Sequence, residues 1–91
     1  MTDYEIFLLP SAQRLLRRLP EKVATAVVEF LYGTLAANPR RVGKELSLDY
    51  AGLWSARRGE YRVLYRIDED IRRIEVEVIE HRADAYRPGR S

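Results

Sequence analysis

The sequence predicts an α+β fold, a two-layer sandwich in which a helix hairpin packs on a mostly antiparallel four-stranded sheet. Three observations predict it. Residues 11–37 place apolar side chains at helical spacing with one break at Pro20, residues 53–82 alternate apolar and polar side chains between turn residues, and a short extended run precedes both. The expected order is strand, helix, helix, then a meander of three strands.

The 91 residues are expected to form one domain spanning residues 1–91, because so short a chain has surface enough for a single core. Apolar residues at 46% suffice for that core, and no linker, repeat or low-complexity tract interrupts it. No apolar run approaches the roughly 20 residues needed to cross a bilayer, and the first ten residues lack a charged segment leading into an apolar one. The expectation is a cytoplasmic protein with no membrane partner. With no cysteine, the domain must be held by packing or by a partner.

The formal net charge is only +2, but every basic residue except Lys22 and Lys44 is an arginine. Guanidinium forks match phosphate geometry better than ammonium groups do, so the composition leans toward nucleic acid. Solubilising surface charge accounts for it equally well at this stage.

Asp3 to Leu9 carries Tyr4, Ile6 and Leu8 on one face and Phe7 and Leu9 on the other, the pattern of a central strand buried on both sides. Pro10-Ser11 breaks it, and Ser11 is suited to cap a helix whose Ala12, Leu15, Leu16 and Leu19 form one apolar face. Pro20 and Glu21 then start a second helix reaching Ala37, with Val23, Val27, Phe30 and Leu31 as its stripe. Asn38-Pro39 stops it. Arg40 to Asp49 reads as a basic loop, with Leu46 and Leu48 dipping into the core.

A strand over Leu53 to Arg57, a turn at Arg58-Gly59-Glu60, and strands over Tyr61 to Asp68 and Arg73 to Arg82 complete the chain. The last two strands register by their own pattern. Pairing Val63 with Val78, Tyr65 with Val76 and Ile67 with Ile74 puts all six on one buried face. The other face then pairs Arg66 with Glu75, Leu64 with Glu77, Arg62 with Ile79 and Glu60 with His81. On this register the uncovered face carries Arg62, Arg66 and His81, which suits a polyanion.

Residues 52–68, Gly-Leu-Trp-Ser-Ala-Arg-Arg-Gly-Glu-Tyr-Arg-Val-Leu-Tyr-Arg-Ile-Asp, with Val78-Ile79-Glu80-His81-Arg82 and Tyr86, resemble the RelE/ParE toxin superfamily of type II toxin–antitoxin modules. The resemblance covers nearly the whole chain and extends to Leu-Arg-Arg-Leu-Pro at 16–20, Asn38-Pro39, and Gly-Lys-Glu-Leu at 43–46. It implies a toxin that is a ribosome-dependent endoribonuclease, acting on mRNA at the ribosome, inhibiting translation, and neutralised by a cognate RelB-like antitoxin. ParE-type members of the same fold instead poison DNA gyrase, which is the alternative. The resemblance makes Arg62 the transition-state arginine, Arg82 the second active-site arginine and Tyr86 the C-terminal tyrosine. The lysine pair that some RelE enzymes carry before the hairpin turn is replaced here, with Arg57 and Lys44 as the nearest substitutes.

Metal-free RNA cleavage by the adjacent 2′-hydroxyl needs a base, an acid and cations for the phosphorane. Arg62 and Arg82 supply cations. Tyr86, His81, Glu60 and Lys44 are the proton-transfer candidates; His81 titrates in the right range, and packing against Glu60 is its other reading. Lys44, Arg57, Arg58, Arg66 and Arg41 are the expected RNA contacts, Arg66 also being a candidate ion pair with Glu75. Trp54 and Tyr61 are read as packing aromatics before base-stacking ones, and Arg14, Arg17 and Arg18 as a solvated or partner-facing helix side. One histidine and no cysteine leave no zinc pattern, and no glycine-rich loop cradles a nucleotide, so no cofactor and no metal is expected.

Overall fold

The computed structural model describes residues 3–81. Strand β1 (Glu5–Leu8) leads into helix α1 (Pro10–Arg18) and helix α2 (Glu21–Phe30), which widens into a π-helical turn over Leu31–Leu35. A short helix α3 (Pro39–Val42), strand β2 (Lys44–Glu45) and a 3₁₀ turn (Leu48–Tyr50) follow, then β3 (Trp54–Arg58), β4 (Tyr61–Asp68) and β5 (Arg73–His81). The strands make one five-stranded sheet in the order β1-β5-β4-β3-β2. The sheet has one strand more than the sequence predicts, because Lys44–Glu45, read as loop, pairs antiparallel with β3.

Strand β1 corrects a second expectation. It is an edge strand, paired parallel with β5 and half exposed along its length, rather than a central one. Its mixed apolar pattern has a different cause: Ile6 and Leu8 pack on the core, while Phe7 stays on the open side under the Arg73 guanidinium, 5.2 Å from the ring centre. Parallel pairing with β5 is what the α1–α2 crossover permits.

Helix α1 starts one residue earlier than Ser11, with Leu9 as its cap, and Pro10 loses nothing at a first-turn position whose N–H has no partner in the helix. Ser11 is used elsewhere. Its Oγ donates to the Glu77 carbonyl at 2.7 Å, tying α1 to β5. Pro20 caps α2 from outside, and the π turn brings Leu31 and Leu35 to the core together.

The core lies between the helices and one face of the sheet. Ala12, Val27, Phe30, Leu31 and Leu35 meet Ala56, Tyr61, Val63, Tyr65, Ile74, Val76 and Ile79. Among the described residues the only polar groups carried by fully buried side chains are tyrosine hydroxyls, and these find carbonyls: Tyr61 Oη donates to Ala26 at 3.3 Å and Tyr65 Oη to Pro39 at 2.6 Å. Leaving such a hydroxyl unpaired costs about 1–3 kcal/mol. Leu46 is half-buried as expected, but Leu48 is 90% exposed and sits at φ 58° as the first residue of the 3₁₀ turn, so it does not fill the core.

The β4–β5 register agrees with the sequence at one end and departs at the other. Tyr65 opposes Val76, Arg66 opposes Glu75 and Ile67 opposes Ile74, but beyond them a bulge at Glu77 shifts the pairing by one. Leu64 therefore meets Val78, Val63 meets Ile79, Arg62 meets Glu80 and Tyr61 meets His81. The shift buries Ile79 at 2% exposure instead of the smaller Val78, which gains about one methylene of apolar burial.

Candidate nucleic-acid interface

Alternation along β3 and β4 sorts the basic residues by face. Ala56, Tyr61, Val63 and Tyr65 point toward the helices, so Ser55, Arg57, Arg62, Leu64 and Arg66 point to the uncovered side. Lys44 pairs with Ser55 and joins them. Across three neighbouring strands the row reads Arg57, Arg62, Glu80.

Two like charges directly opposed in a ladder repel, with Cβ atoms roughly 5 Å apart. Arg57 and Lys44 have no hydrogen bond or ion pair among the described residues. Arg62 is loosely compensated: its Nη1 stands 3.9 Å from Glu80 Oε1, with both side chains nearly half exposed. Arg66 is more firmly held. It opposes Glu75, but the bulge swings Glu77 beneath it, and Arg66 Nε donates to Glu77 Oε2 at 2.8 Å, so the expected Glu75 pair is replaced.

Three of the sequence-predicted residues lie elsewhere. His81 opposes Tyr61 and so belongs to the helix-covered face, not beside Arg62. Its Nε2 is buried, 3.6 Å from Glu60 Oε1 and without a hydrogen bond among the described residues. Arg58 is on the covered side too, its guanidinium 5.2 Å above the Phe30 ring. Arg41 lies on α3 and lines an open cleft with Tyr4, Asn38, Arg40 and Arg72, away from the β3–β4 row. Arg82 and Tyr86 lie outside the described residues.

The aromatics take the packing role. Trp54 stacks on Tyr65 with ring centres 6.5 Å apart, and Tyr61 meets Phe30 edge-on at 6.2 Å. Burial raises the Tyr61 phenol above its ordinary value against the opposing pull of Arg58, and raises that of Tyr65 much further. Both hydroxyls are engaged with carbonyls, Tyr61 with Ala26 and Tyr65 with Pro39, which fits packing roles. Among the described residues no three of His, Asp or Glu gather to hold a metal ion.

Comparison with known proteins agrees with the fold. A family model described as the ParE toxin of the type II toxin–antitoxin system parDE matches residues 6–86. Toxin RelE of Mycobacterium tuberculosis is 50% identical over 84 residues, covering 92% of this chain and 87% of its own. This chain belongs to the RelE/ParE toxin family. The RelE-like toxin is also 46% identical to Toxin RelG of the same organism, over 92% of this chain and 97% of the relative. Its fold matches a RelBE toxin–antitoxin complex from M. tuberculosis with a TM-score of 0.87 and 44% identity, over 88% of this chain and 99% of the other.

In the RelE-like toxin, sequence reasoning missed Glu80 as the neighbour of Arg62 and misplaced His81, both through the same bulge. The available signal was the doublet Val78-Ile79, which breaks strict alternation in β5. Among the described residues no helix is long and apolar enough to cross a membrane.

Proposed function

We propose that this RelE-like toxin is a metal-independent endoribonuclease that cleaves mRNA on the ribosome, in the cytoplasm, and is restrained by a RelB-like antitoxin. The observation that carries the reading is the pair Arg57 and Arg62, opposed on an uncovered sheet face with Lys44 alongside and no ion pair on Arg57 or Lys44 among the described residues. Holding cations against each other without a carboxylate between them is unfavourable unless an anion occupies the face. A phosphodiester chain fits that need.

In the proposed reaction the 2′-oxygen bonds to phosphorus, the bond from phosphorus to the 5′-oxygen breaks, and a 2′,3′-cyclic phosphate and a 5′-hydroxyl result. The 2′ proton passes to a base and the leaving oxygen takes one from an acid. Arg62, with Arg82, neutralises the phosphorane; loss of one such donor costs roughly 10²-fold or more in rate. Tyr86 is assigned to proton transfer, with Lys44, Arg57 and Arg66 guiding the backbone. His81, on the other face, is assigned to holding the hairpin turn through Glu60.

Similarity to a toxin solved with its antitoxin supports an antitoxin partner for this chain. The reading is tested by adding the purified toxin to programmed ribosomes and mapping mRNA ends by primer extension. New ends within the translated region, absent without ribosomes, are expected. Intact mRNA together with gyrase-linked DNA breaks in induced cells would overturn it in favour of the ParE-type activity.

A further inference from the structure

Lys44 reaches the open face on a strand of only two residues, and two residues do not hold themselves in register. Something else must fix β2. The segment before it, α3, is four residues long and also too short to be stable alone.

Both are pinned at one point. Tyr65, fully buried in the centre of β4, donates its hydroxyl to the Pro39 carbonyl at the start of α3, at 2.6 Å. The same hydroxyl fills the space beside Gly43, the residue between α3 and β2: a Cβ there would stand 1.9 Å from Tyr65 Oη and 3.2 Å from the Ser55 carbonyl. Gly43 has φ −117°, an angle any residue adopts, so its lack of a side chain serves this close approach and not a turn. Trp54 stacks on the Tyr65 ring, with the Arg40 guanidinium 6.0 Å from the Trp54 ring centre. The ring is thereby fixed from the side on which β2 lies.

We propose that Tyr65 is a positioning residue for the RNA-binding face: its hydroxyl, held on Pro39 and fitted against Gly43, sets the strand that presents Lys44 beside Ser55 and Arg57. Tyr65 touches no RNA. It acts through Lys44, so the proposal rests on the nuclease reading above for its functional consequence and on the Tyr65–Gly43 contact for its structural one.

The test is a double-mutant cycle of the full chain in ribosome-dependent cleavage, using Tyr65→Phe, Lys44→Ala and the pair, with kcat and KM measured separately. Tyr65→Phe keeps the packed ring and removes only the hydroxyl. It is expected to raise KM several-fold with kcat nearly unchanged, and to add nothing once Lys44 is alanine. Full additivity, or a loss in kcat at constant KM, would overturn the proposal, the latter being the mark of a reduced folded fraction.

The contact is read independently by thermal unfolding. Gly43→Ala is expected to lower Tm, and Tyr65→Phe to restore part of the loss in the double variant, since the closest ring atom left would be Cζ at 3.0 Å. No rescue would overturn the lock. If the parent chain does not cleave RNA, the nuclease reading fails and the lock stands or falls on this rescue alone.

Discussion

Arg57 on β3 and Arg62 on β4 face each other across the ladder on the open side of the sheet, and on its far side Arg62 meets the only carboxylate in that row, Glu80. The two arginines therefore differ in what their loss removes. Arg62→Ala takes away the proposed transition-state cation and is expected to abolish growth inhibition while leaving Tm nearly unchanged. Full toxicity of the folded variant, measured after induction in the absence of antitoxin, would sink the assignment.

Arg57→Ala should weaken RNA binding without abolishing cleavage. As a single phosphate contact it is expected to flatten the slope of log affinity against log salt by about 1. Anisotropy titrations at several salt concentrations check it. An unchanged slope would mean that Arg57 does not meet the backbone.

Glu80→Gln acts in the opposite sense. Removing the carboxylate 3.9 Å from Arg62 frees that guanidinium for phosphate, so RNA binding should tighten and its salt dependence steepen. The same titrations decide this, and an affinity unaltered at low salt would show the pair to be fully screened.

Leu48 holds φ 58° with its side chain 90% exposed, so it bears the strain of a left-handed backbone without the benefit of burial. For residues with a Cβ that conformation costs about 1–2 kcal/mol. Leu48→Gly relieves the strain but loosens the unfolded chain, and the expected net effect on urea unfolding is a gain of up to about 1 kcal/mol. A destabilised variant would show that Leu48 packs in solution.

Glu69 joins the β4–β5 turn to the start of the chain. It accepts hydrogen bonds from Tyr4 and Arg40, with Arg72 close by, and these partners hold its carboxyl below the ordinary value of 4.5. Since the folded form binds the proton less readily than the unfolded one, the contribution is complete above that value and is lost as pH falls through the folded pKa. Urea midpoints of the parent and Glu69→Gln should therefore differ near neutrality and converge in acid. A constant gap would assign the difference to packing.

Much of the layout was legible because its signals are local. Proline at positions 10, 20 and 39 delimits the helices, and the alternation Tyr61, Val63, Tyr65, Ile67 declares the buried side of β4 without reference to any partner. Partnership is a different matter. Strand β1 pairs with β5 across most of the chain, and nothing in Glu-Ile-Phe-Leu names that neighbour or makes it parallel. The open-face placement of Arg57, Arg62 and Arg66 follows from alternation, whereas Lys44 reads as loop until its pairing with Ser55 is seen, and His81 changes face through a bulge that alternation alone does not reveal.

The bulge at Glu77 makes β5 a strand in which pairing matters more than identity. Val76 and Ile79, with two residues between them, both face the core only because the bulge absorbs one. Many substitutions at Glu77 or Val78 would keep that count, and deleting either residue would remove the bulge while leaving Ile79, Glu80 and His81 on their present sides. Only pairing the full-length strand without the bulge would turn everything after it over. Glu80 would then pass to the helix side and His81 to the side of Arg62, exchanging a counter-ion for a titratable ring at the centre of the basic face.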